Sequence, residues 1–105
     1  MDFLEALKLE IGDVSDLYSD TVLSQYLEKA KATALRNLYP YYNEPKGYDI
    51  SVEEPWYVVT TAIYLLDHRG VDTDKSRSEN GIQIAYGSMA DVMAKHGLYP
   101  HGKLL

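Results

Sequence analysis

The segment "PWYVVTTAIYLLD", residues 55–67, does most to decide what this chain can fold into. Trp56, Val59, Ile63 and Leu66 recur at helical spacing as one apolar stripe, and Val58, Ala62 and Leu65 form a second. Only Tyr57, Thr61, Tyr64 and His68 leave a mildly polar strip. A helix apolar on nearly every side has to be covered on nearly every side, so it is expected at the centre of a bundle. Ser51 and Glu54 offer a capping box for its start. A later start would put Pro55 in the first turn, where a missing N–H costs nothing. Arg69 and Gly70 suit its C-terminal end.

The other elements read as its cover. Phe3, Leu4, Leu7 and Ile11 give a short amphipathic helix ending near Gly12, and residues 13–20 are rich in turn and capping types. Val22, Leu23, Tyr26, Leu27, Ala30, Ala34 and Leu38 then repeat along one face of a long helix. Ser19 or Asp20 can cap it, and Pro40 stops it. "YPYYNEPKGYDI", with two prolines and four tyrosines, reads as an ordered loop. Ser88 and Asp91 are spaced to open a last short helix, with Met89, Val92, Met93 and His96 on one face and Gly97 at its end. The expected core is Leu27, Ala30, Trp56, Val59, Ile63 and Leu66.

One segment breaks the helical pattern. In "DKSRSENGIQIAYGS" the residues Ile82, Gln83, Ile84, Ala85 and Tyr86 alternate like a strand after a polar run. A lone strand leaves backbone donors and acceptors unpaired, so its partner is expected either elsewhere in the chain or in another molecule. The fold class expected is therefore mainly α: a small bundle of three to four helices, with one long loop carrying a short β segment before the last helix. No linker or repeat divides residues 1–105, which are expected to form a single domain; a chain of this size buries roughly 65% of its unfolded surface.

Composition narrows the partners. Sixteen acidic residues against ten basic ones give a formal charge of −6, whereas nucleic-acid binders draw most of their affinity from a basic face. The absence of cysteine excludes disulfides and thiolate metal sites. No apolar run approaches the roughly 20 residues of a spanning helix, and "MDFLEALKLE" lacks the basic start of a signal peptide. A chain used or assembled in a cytosol, with no membrane partner, is expected. Ten tyrosines against one phenylalanine and one tryptophan admit two readings. Either they furnish half-buried interfaces, or they line a thin core with hydroxyls reaching water.

Reagents for catalysis are scarce among three histidines and no phosphate-binding glycine loop. Asp67, His68 and Arg69 are consecutive and cannot converge on one atom of a helix. Asp72, Asp74, Ser76 and Ser78 open like a calcium loop, but Arg77 occupies the position that needs glycine and no twelfth-position glutamate follows. His96 and His101 flank a turn without further ligands, and "KSRS" is outweighed by Asp72, Asp74 and Glu79. The expectation is a non-enzyme with no cofactor and no metal.

The order of features is familiar. "FLEALKLEIG" is followed by the acid-flanked "SDTVLSQYLEKAKATAL", an apolar helix ending "YLLDHRG", the polar "KSRSENGIQIAY" and a last short helix. In this order, and in Arg69, Gly70, Ser76, Ser78, Glu79, Gly81, Ile82 and Tyr86, the chain resembles the head–tail connector (adaptor, or DNA-packaging) proteins of long-tailed bacteriophages. The resemblance implies a non-enzymatic subunit of a ring, dodecameric in the particle, beneath the portal protein. Such a ring extends the DNA channel without sequence-specific binding and receives the next head-completion or tail protein. It implies a place in the virion at the head–tail junction, after assembly in the host cytoplasm. On this reading Arg77, Glu79, Gly81, Ile82, Ile84 and Tyr86 form the subunit interface by edge pairing between neighbours. Met89, Val92, Met93 and His96 dock the portal or another partner. The alternative is a small helical regulatory or protein-binding module encoded by a prophage.

Overall fold

A computed structural model describes residues 2–68 and 88–101. These residues are mainly helical: α1 (Phe3–Ile11), a 3₁₀ segment (Gly12–Leu17), α2 (Asp20–Leu38), α3 (Ile50–Glu53), α4 (Pro55–Asp67) and α5 (Met89–Lys95). The strand-like residues 82–86 lie outside them.

Local chemistry explains the boundaries. Asp2 accepts from the Glu5 N–H at 3.2 Å and starts α1; Gly12, at φ 62°, ends it in a conformation that costs glycine little. Ser19 is the cap of α2, its Oγ accepting from the Val22 N–H at 3.2 Å. The expected capping box at Ser51 and Glu54 does not form. Asp49 caps the single turn α3 instead, through the Ser51 N–H at 2.9 Å, and Pro55 opens α4 as its first residue. Ser88 caps α5 as its spacing predicts. At the other end of α5 the Gly97 and Leu98 N–H groups bond to the Ala94 and Met93 carbonyls at 3.0 and 2.9 Å, with Gly97 at φ 69°. That is a Schellman closure, and Leu98 packs against the core beside it.

Helix α4 is the hub: α1, α2, α3 and α5 all pack on it. Nine of its 13 residues are buried, from Tyr57 to Asp67. Its main partner is α2, which buries Leu23, Leu27, Ala30, Ala34 and Leu38. Ala30, Ala34 and Ala62 are fully buried, and such short side chains let two helices approach closely. Leu7 of α1 and Val92 and Met93 of α5 complete the core.

One expectation about α4 needs correction. Trp56 is not in the core but 48% exposed, because it stands in the first turn, where the stripe outruns the elements that cover it. The polar strip is not open: Tyr57 and Thr61 are buried, while Tyr64 and His68 are half-buried. Part of the cover is α5, whose His96 ring lies 6.0 Å from that of Tyr57.

Burying that strip leaves the Tyr57 hydroxyl and Thr61 Oγ1 without a hydrogen-bond partner among the described residues. An unpaired buried hydroxyl costs roughly 1–3 kcal/mol. Thr61→Val is accordingly expected to raise the urea midpoint or leave it unchanged. Leu66→Ala, opening a cavity at the hub, should destabilise by about 2–5 kcal/mol in the same melt.

Candidate functional site

The site residues expected from the sequence fall into two groups. Arg77, Glu79, Gly81, Ile82, Ile84 and Tyr86 lie outside the described residues. Met89, Val92, Met93 and His96 share one face of α5 as expected, but that face is turned into the subunit. Val92 and Met93 are 0% and 4% exposed, Met89 packs against the core, and His96 Nε2 lies 2.9 Å from Thr60 Oγ1. These side chains hold α5 on α4, so the apolar face is already occupied; Ala90, Asp91, Ala94 and Lys95 lie on the exposed side of the helix.

Burial lowers the His96 pKa, with the Lys95 charge adding to the effect. The folded state therefore favours neutral imidazole, and the unfolded chain binds the proton more readily. The stabilisation is fully present above the ordinary histidine pKa and is lost as pH falls through it toward the lower folded value. Thermal melts between pH 8 and pH 5 should show wild type losing stability over the acid part of that range, with a flatter profile in His96→Gln.

The structure brings together a different set of residues at the C-terminal end of α2. Arg36, in the last turn, is the organiser. Its guanidinium donates to both Glu44 carboxylate oxygens at 2.7 and 3.3 Å, donates to the Tyr39 carbonyl at 3.1 Å, and lies 3.8 Å from the centroid of the Tyr42 ring. The forked guanidinium supplies the parallel donors and flat cation that such a clamp needs. Hydrogen bonding to Arg36 holds the Glu44 carboxyl below its usual pKa, and the same bond raises that of Arg36. Tyr42 itself adopts φ 56°, a left-handed conformation that costs a non-glycine residue roughly 1–2 kcal/mol. The clamp offsets that cost and leaves the Tyr42 side chain 77% exposed.

The chain returns to this place after α5. The His101 N–H donates to the Leu38 carbonyl at 2.7 Å, capping α2, and the His101 carbonyl accepts from Asn43 Nδ2 at 3.1 Å. The His101 ring stacks on Tyr39 at 4.6 Å and approaches Tyr99 at 5.7 Å. Tyr39 meets Tyr48 edge-on at 5.1 Å. Burial pushes the Tyr48 phenol up to about 12, helped by Tyr39 and by the carboxylates of Glu54 and Glu53. Ring contacts thus link Tyr99, His101, Tyr39 and Tyr48, and in the segment that follows Tyr48 the side chains of Val52 and Trp56 are exposed. The tyrosines divide: Tyr57 is a core residue whose hydroxyl is buried and does not reach water, whereas Tyr41, Tyr42 and Tyr99 are open to solvent.

This surface was reachable only partly from sequence. The tyrosine-rich loop is conspicuous, but the pairing of Arg36 with Glu44 and the return of His101 join positions that no periodicity links. Among the described residues no group of three or more His, Asp or Glu side chains is placed to hold a metal ion, and no helix is long and apolar enough to cross a membrane. Comparison of the chain with family models, curated proteins and solved structures finds no match.

If Arg36 sets the loop, Arg36→Ala should speed hydrogen exchange at the Tyr42 amide, which bonds to the Tyr39 carbonyl at 3.2 Å. Exchange within α4 is expected to stay slow in the same sample.

Proposed function

We propose that this chain is a structural subunit of a phage or prophage head–tail connector ring. In that role it docks on a portal protein, extends the DNA channel and receives a head-completion or tail protein. The observation that carries the reading is the order of features in the chain. A short helix, a long acid-flanked helix, a buried apolar helix, a polar connection with strand-like alternation and a last short helix follow one another as in the connectors it resembles. Exposed aromatic side chains on so small a subunit add support, since tyrosine and tryptophan are enriched where proteins meet. The net acidic charge is compatible with a channel wall that lets DNA slide rather than gripping it.

Subunit contacts in this reading come from residues 82–86, whose alternation calls for a neighbouring strand. Negative-stain imaging of the concentrated protein, alone and mixed with a portal protein encoded beside it, is expected to show rings. Ile84→Pro removes a backbone donor needed for edge pairing. The variant should keep the thermal stability of the wild type while forming no rings and failing to complete heads. Normal rings from that variant, or a stable monomer that ignores the portal and binds a soluble host protein, would remove the connector assignment.

A further inference from the structure

From the aromatic surface at the end of α2 we infer a docking face for a second protein, one whose binding segment carries apolar side chains flanked by lysine or arginine. This inference does not involve the strand-like residues 82–86, and its test does not depend on ring formation.

Three observations converge on it. Tyr41, Tyr42, Val52, Trp56 and Tyr99 are 63%, 77%, 70%, 48% and 69% exposed, and all belong to the segments joined through Tyr39, Tyr48 and His101. The other exposed large hydrophobics among the described residues, Leu9 and Leu17, belong to α1 and the turn after it. Next, the loop is held in advance of binding: Arg36 fixes Tyr42 in an unfavourable backbone conformation, with the ring facing solvent. Rigid aromatic side chains lose little entropy on contact, which makes them effective anchors.

Charge then selects the occupant. Glu44 is neutralised by Arg36, while Glu53 and Glu54 act on Tyr48 and make no ion pair among the described residues. Asp49 adds a further carboxylate as the α3 cap, against the exposed Lys46. The rim beside Trp56 is therefore acidic. A second copy of this chain would bring its own −6 charge toward that rim, whereas a basic segment meets complementary potential.

The full chain has a single tryptophan, Trp56, so its emission reports on this face. Titration with a synthetic amphipathic peptide of lysine and leucine is expected to shift the emission to the blue and saturate. Glu53→Gln with Glu54→Gln should weaken that binding roughly five- to ten-fold, and added salt should weaken it in wild type. Tyr41→Ser with Tyr42→Ser should also weaken it while leaving the far-ultraviolet circular dichroism unchanged. Asp13→Asn with Asp16→Asn, which removes two carboxylates elsewhere, is expected to bind as wild type does. Equal weakening by that control pair, equal binding of a glutamate–leucine peptide, or binding without a change in Trp56 emission would overturn the inference. So would sedimentation showing a dimer that Tyr41→Ser with Tyr42→Ser disperses, since the occupant would then be a second copy.

Discussion

The contact between α2 and α4 is the constraint on which the rest of the molecule depends. Leu23, Leu27 and Leu38 supply bulk along α2, while Ala30 and Ala34 leave room for the backbone of the partner helix. Opposite them α4 is buried on almost every side, so no single neighbour can satisfy it. Helices α1, α3 and α5 exist as stable elements because each covers a part of α4 that α2 does not reach. Helices this short are marginal on their own, α3 at four residues and α5 at seven. Their stability comes from the hub.

Around that core the two ends of the chain take different chemistry. Lys8 of α1 meets Asp20 at the start of α2 across 2.7 Å, an exposed pair that positions more than it stabilises. At the far end of α2 the tie is denser: Arg36 gathers Glu44, Tyr39 and Tyr42, and His101 caps the helix from the last described residue. The consequence is a stiff aromatic surface mounted on a helix end, with its charged partners already assigned.

Much of the fold was legible in the sequence, for physical reasons that can be named. Apolar spacing fixed α1, α2 and α4, and side chains that bond to nearby N–H groups marked the starts at Ser19 and Ser88. Where periodicity was followed to the end of a helix it failed, as at Trp56: a stripe records which residues face alike, not how far the neighbours extend. The face of α5 was read correctly, but its docking role was not legible, because an apolar face looks the same whether its own subunit or another protein covers it. The Arg36 clamp and the return of His101 were invisible, since they depend on where a loop and the last described residues are brought in three dimensions.

The central position of α4 along the chain also has a bearing on how the protein is made. Both α1 and α2 are complete before α4 has been synthesised, and although they touch each other, each also packs on α4, which is the main partner of α2. At ordinary synthesis rates of roughly 5–20 residues per second, the roughly thirty residues between the end of α2 and the end of α4 take about 1.5–6 s to add. For that interval α2 has α1 to pack on but lacks α4, its main partner. The four acidic residues on α1 and the turn after it, Glu5, Glu10, Asp13 and Asp16, precede the apolar stripe of α2 in the chain and would keep like nascent chains apart.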